Sequence, residues 1–196
     1  GPLRASALRR LGAYANIFAI ESILDELAEQ AKKDPYDFRL AHLEDIRAKE
    51  VVEKLRTLTK GQKVSAGDGM GMAFSRYKNS ASYCAVAAWV QVDKAKGTVQ
   101  VKKMWAVLDA GEVINLDGIK NQTEGGMIQS ASWTLKEEVR FDAKHVNTLD
   151  WYSYPIFRFP DVPEVEVAVI DRPNEPVLGA GEAAQGPTAA AIANAV

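Results

Sequence analysis

The run "SYCAVAAWVQVDKAKGTVQVKKMWAVLDAG", Ser82 to Gly111, is where the architecture of this 196-residue chain can be read. Its two halves are rich in β-branched and aromatic residues, and alternation is clearest in "WVQVD" (89–93) and "TVQVKK" (98–103). Such side chains pack well on a pleated, half-buried surface, so both halves read as strands. The "KAKG" between them (94–97) is a hairpin connection, with Gly97 available for positive φ. The preceding "GMAFSRY" (71–77) has the same character, and "VRFD" (139–142) and "VEVAVID" (165–171) add further strands. "DGIKNQTEGGMIQSASWTLKEE" (117–138) reads as a helix with Ile119, Met127, Ile128, Ala131 and Leu135 toward a core. Gly125 and Gly126 inside it cost roughly 1 kcal/mol each relative to alanine. Such a cost implies backbone pressed against something, either another element or a ligand.

Before this region the period changes. "ANIFAIESILDELAEQAKKDP" (15–35) places Ile17, Ile20, Ile23, Leu24, Leu27, Ala28 and Ala31 on one stripe, with Glu21, Asp25, Glu26 and Glu29 largely opposite. That stripe is expected to pack on the rest of the molecule. Asp34 caps a second helix, "PYDFRLAHL" (35–43), opened by Pro35. A third, "EDIRAKEVVEKLRTL" (44–58), carries Ile46, Val51, Val52 and Leu55. The polar, glycine-bearing link from Thr59 to Gly69 marks an organisational boundary. The reading is α+β: a helical lead over residues 1–58 packed on a mixed-sheet lobe with further helices over 69–196.

Composition narrows the function. The chain is 47% hydrophobic with net charge −2, which argues against a nucleic-acid surface. No apolar run approaches the roughly 20 residues that span a bilayer. The single Cys84 excludes an internal disulfide, and His42 and His145 alone argue against a histidine-held metal. Cys84 reads as buried and inert, the two histidines as surface or cap residues.

The chain closes on "LGAGEAAQGPTAAAIANAV" (178–196). Gly179 and Gly181 permit a tight approach of main chain, Pro187 suits the first turn of a helix, and Ala189 to Val196 continue it. The loop thus presents one acid, Glu182, as either a surface glutamate or a working carboxylate.

Four stretches in order resemble a family. "GPLRAS…NIFAIESILDELA…DPYDFRL", "GMGMAFSRY" followed by a strand pair and "VLDAGEVINLDGIKNQTEGGMIQ", "YPIFRFPDVPEVEVAVID", and "GAGEAAQGPTAAAIANAV" are similar to the molybdenum-cofactor subunit of the xanthine oxidase and aldehyde oxidoreductase superfamily. Order and spacing are nearest to the large (beta) subunit of isoquinoline 1-oxidoreductase-type enzymes, and the resemblance covers essentially the whole chain.

The resemblance implies hydroxylation of an electron-poor carbon, in an N-heterocycle or an aldehyde, by water. Glu182 would be the base, and two electrons would leave through a molybdopterin toward a 2Fe-2S small subunit. Burial would raise the pKa of such a base, whereas a helix N-terminus behind it would favour the anion. The resemblance further implies that Gln122 hydrogen-bonds the pterin, that Gly125, Gly126 and Gly181 lie close to it, and that Arg4 stands beside the metal. Gly69 and Gly71 would cradle the pyrophosphate of a dinucleotide form, the cytosine dinucleotide, unless they are plain turn glycines. Trp89, Trp105, Trp133 and Trp151 would line an aromatic substrate cavity or fill the core.

Family subunits are several times longer and carry an upstream Gly-Gln-Gly motif and a separate β-domain, neither of which is found in this sequence. The chain is therefore expected to be the Glu-bearing C-terminal portion of a larger or split subunit. Its pocket would be half-walled, with no cofactor bound in isolation and an apolar face around Gly179–Ala184 and Gly125–Met127. The remaining part of that subunit is the expected partner. A non-catalytic cofactor-binding or scaffold module of the same fold is the alternative. The compartment, bacterial cytoplasm or periplasm, is not assigned.

Overall fold

The computed structural model describes residues 8–196. Three helices come first: α1 (Ala13–Gln30), α2 (Pro35–His42) and α3 (Ile46–Thr59). Strands β1 (Asp68–Arg76), β2 (Tyr83–Asp93) and β3 (Thr98–Asp109) follow, then helix α4 (Leu116–Leu135), strand β4 (Glu164–Ile170) and helix α5 (Gln185–Asn194). The four strands form one sheet in sequence order. β1, β2 and β3 are antiparallel neighbours, whereas β4 returns parallel to β3 after the α4 crossover. The architecture is α+β with a mixed sheet, as the sequence indicates.

Alternation along the strands builds two cores. Cys84, Val86, Ala88 and Val90 of β2, with Met104, Ala106 and Leu108 of β3, face α4 and α5, where Met127, Ala131, Ala190, Ala191 and Ile192 meet them. The intervening Tyr83, Ala85, Ala87, Trp105 and Val107 face Ala48, Val51, Val52 and Leu55 of α3. The sheet is therefore covered on both sides, which explains why "YCAVAAWV" is an almost unbroken apolar run. Gly97 takes φ +64° in the β2–β3 connection, and Asp34 Oδ1 accepts the amides of Tyr36 and Asp37 as the α2 cap.

Three sequence expectations are corrected. The "VRFD" strand is reduced to a single bridge, Phe141 to Val146. Val139 and Phe141 stay exposed there, with no face to bury.

The apolar stripe of α1 is not the face that packs. Ile20, Ile23 and Leu27 are 52%, 55% and 43% exposed, while Glu21 and Ala28 are buried. The helix does lie against the molecule, on α5 and the β1 edge, but turned so that Glu21 enters the interior. Arg39 supplies the partner that makes this burial tolerable.

Gly69 and Gly71 lie inside β1 beneath α5 and are not turn glycines. A Cβ on Gly69 would stand 1.8 Å from the carbonyl oxygen of Ala195, and one on Gly71 would stand 2.4 Å from the Ala191 carbonyl oxygen. They are glycines so that helix backbone can touch strand backbone.

Candidate functional site

Glu182 lies in the loop between β4 and α5, and its side chain turns toward the short 3-10 turn Tyr77–Asn79 that follows β1. The Tyr77 hydroxyl donates to Glu182 Oε2. Glu182 does not cap α5: the N-cap is Ala184, without a side-chain cap bond. The hydrogen bond from Tyr77 is the main influence on the carboxyl and holds it below its ordinary range. Partial burial opposes this, while Lys78 and Arg9 add to it. Of burial and the stabilised anion, the anion prevails, first through the phenol of Tyr77. Burial and the neighbouring carboxylate push Tyr77 itself up to about 12.

Two arginines fix the loop. Arg10 is fully buried and takes φ +80°, followed by Leu11 at φ +53°. Left-handed backbone at such residues costs about 1–3 kcal/mol and persists only where the surroundings over-determine it. Here they do. Arg10 Nη1 donates to the carbonyl oxygens of Glu182 (2.9 Å) and Ala183, and Nη2 to Ser75 Oγ. Burial lowers its pKa to about 10. Gly186 makes room for it, since a Cβ there would meet Arg10 Nε at 2.4 Å.

Arg9 points the other way, toward α4. Its Nη2 donates to the Gly181 carbonyl (2.5 Å) and to Gln122 Oε1 (2.8 Å), and its Nη1 to Gln129 Oε1 (3.2 Å). Gly181 and Gln122, far apart in the chain, are thus joined by one guanidinium. Gly126 is on the same patch, where a Cβ would lie 3.5 Å from Ala184 Cβ. Gln185 is buried beside it, donating to Gln129 Oε1 at 2.8 Å while its own Oε1 has no partner.

Of the residues singled out from sequence, Glu182, Gly181, Gln122 and Gly126 are therefore brought together. Gly125, one position before Gly126, faces open space. Arg4 lies outside the described residues. Gly179 and Gly181 adopt no positive φ, and a Cβ on either would meet no heavy atom within 4 Å, so their smallness serves an open face. The expected apolar face is mixed: Gly125 and Gly181 are exposed, but Met127, Ala183 and Ala184 are buried. Exposed Ile114 and Val177 line a hollow with Gln122.

Among the tryptophans, Trp105 is core, and Trp89 is half-buried with Nε1 donating to Asp68. Trp133 and Trp151 share an open hollow of about 450 Å³ with Tyr154 and Phe157. Cys84 is buried, its thiol pushed up to about 12 by that burial.

Arg9, Arg10 and Tyr77 are not marked by sequence reasoning. The available signal is an Arg-Arg pair just before a helix and a tyrosine at a strand end, neither of which names a partner more than a hundred residues away.

Comparison with known proteins sets this geometry in a family. A family model described as "Molybdopterin cofactor-binding domain" matches residues 4–163. The matching subunit of the nicotinate dehydrogenase of Pseudomonas putida is 40% identical over 99% of this chain, which spans 18% of that protein. The beta subunit of the isoquinoline 1-oxidoreductase of Brevundimonas diminuta is 32% identical over 84% of the chain and 21% of its own length. The aldehyde oxidoreductase of Desulfovibrio gigas superposes with a TM-score of 0.83 at 15% identity, covering 98% of this chain and 39% of that one, a likeness of fold. The chain thus spans about a fifth of the length of these two sequence relatives.

Proposed function

The chain belongs to the molybdopterin cofactor-binding domain family, and from that premise we propose that it is the Glu182-bearing portion of a molybdenum hydroxylase. The observation that carries the reading is the one guanidinium, Arg9, that joins the Gly181 carbonyl, next to Glu182, to Gln122 on α4. Its substrate class is an N-heterocycle or an aldehyde. The relatives named for nicotinate and isoquinoline favour the heterocycle.

The residues around this link suit a pterin. Gln122, whose amide both donates and accepts, and the exposed Gly125 and Gly181 offer hydrogen bonds and close approach to a flat, polar ring. The unpartnered Gln185 Oε1 leaves polar capacity beside them.

When bound, the molybdenum pterin supplies the two-electron oxidising capacity. The cytosine dinucleotide form is the proposed variant, and a 2Fe-2S small subunit the proposed electron acceptor. The remainder of the cofactor subunit closes the face. The chain's own part is to keep Glu182 ionised and fixed as the proton acceptor when water becomes the nucleophile. Its lowered pKa means that the acceptor is ready at neutral pH without a prior deprotonation.

The test is Glu182→Gln in the complete enzyme. The amide keeps the shape and still accepts from Tyr77, so molybdenum content and melting temperature should hold. Turnover should fall about 10²- to 10⁴-fold, as for loss of a general base. Near-normal turnover with retained metal would remove Glu182 from the chemistry.

A further inference from the structure

Glu182 is not an isolated acid on a loop. Among the described residues its hydrogen bonds run through Oε2 to Tyr77 and through its carbonyl to Arg10. Arg10 in turn lies under the Tyr77 ring, its guanidinium carbon 5.0 Å from the ring centre, and ties the assembly to β1 through Ser75. The sheet, the turn after β1 and the loop before α5 are thereby locked around one carboxylate.

We propose that Tyr77 is the positioning residue of Glu182: its hydroxyl holds Oε2, Arg10 holds the Tyr77 ring and the loop carbonyl, and Oε1 remains for proton exchange. The inference rests on the reading of Glu182 as proton acceptor and adds the group that prepares it.

The chemistry follows from what each group can do. A phenol is a neutral donor, and an ionised carboxylate accepts from it more strongly than a carboxylic acid does, so the bond favours the anion. Tyr77 stays protonated across the working range, because burial and Glu182 push its own ionisation up to about 12. Among the described residues four groups face the carboxyl: Tyr77 and Lys78 from the turn after β1, and Arg9 and Arg10 from the segment before α1. Three are cations that act at a distance or through the backbone. Among the described residues Tyr77 alone grips the side chain, so it fixes direction as well as charge.

The experiment is Tyr77→Phe in the complete enzyme, read in two ways. One is the pH profile of kcat/KM. The other is an infrared titration of the Glu182 carboxyl, identified by difference from Glu182→Gln. Loss of the phenol should move the titration to higher pH and cost roughly tenfold in kcat/KM on the acid side, with recovery on the alkaline side. An unmoved titration overturns the proposal. A moved titration with an unmoved rate profile upholds the positioning and overturns Glu182 as the base.

Fluorotyrosine at position 77 covers the case in which Tyr77→Phe fails to fold. It has nearly the same shape and is a more acidic donor, so it should shift both readouts to lower pH. No shift there also overturns the proposal.

Discussion

Arg39 on α2 donates from Nε to Glu21 Oε2 on α1 at 2.8 Å, and the same oxygen accepts the Phe74 amide at the edge of β1, also at 2.8 Å. Arg39 also reaches Asp25 at 2.9 Å and the Glu21 carbonyl at 2.9 Å. One buried carboxylate therefore joins two helices to the sheet.

Arg39→Met tests that junction. Burial raises the Glu21 pKa, and Arg39 and the Phe74 amide offset this in part. A raised native pKa favours the protonated form. Its contribution to stability is present below the ordinary glutamate range and is lost as pH rises through the native value. Without Arg39 that loss deepens. The variant should be about 3–5 kcal/mol less stable near neutrality, with recovery toward acid pH. Denaturant unfolding at the two pH values checks it, and an equal loss at both would refute the charge account.

Asp109 should behave with the opposite sign. It is fully buried at the end of β3, and burial acts to raise its pKa. Hydrogen bonds from Arg47, the Gly111 amide and Arg172 outweigh that and leave it lowered. A lowered native pKa contributes stability above the ordinary aspartate range that is lost as pH falls through the native value. Asp109→Asn should therefore cost about 3–5 kcal/mol at neutral pH, because two arginines lose a shared buried partner. The difference from wild type should shrink in acid. Melting temperatures from neutral to acid pH measure this directly.

Gly71→Ala and Gly125→Ala should separate packing from binding. The first puts a Cβ 2.4 Å from Ala191 O and Ala195 N, backbone atoms at α5 and its C-terminal end that cannot swing away. It should destabilise by about 1–3 kcal/mol or more. The second meets open space on an exposed helix position, so it should stabilise by about 0.5–1 kcal/mol. If that open face receives the pterin, Gly125→Ala should nonetheless lower molybdenum content. Higher melting temperature with unchanged metal would take Gly125 off the cofactor face.

The sheet, the β2–β3 hairpin and the Asp34-Pro35 start of α2 were legible because each depends on neighbours a few residues away. Alternating residues choose opposite faces whatever the rest of the chain does. Glu182 and Gln122 were legible through family resemblance, which records a function rather than a geometry. The orientation of α1 was not. Three-and-four spacing defines an apolar stripe, but Ile17, Leu24 and Ala28 share one edge of it with Glu21 on the inner side, and Ile20, Ile23 and Leu27 share the other. Only the position of Arg39 decides between them.

By itself, the sequence determined most of the helices and strands, the false strand at 139–142 apart, that they form an α+β unit, and which acid ends the β4–α5 loop. Only the tertiary structure decided that Arg9 and Arg10 clamp that loop, that Tyr77 grips Glu182, and that Gly69 and Gly71 serve α5. These contacts join residues 105 to 173 positions apart or depend on backbone meeting backbone. Local propensity carries no information about such distances, because a side chain's partner is set by how whole elements pack.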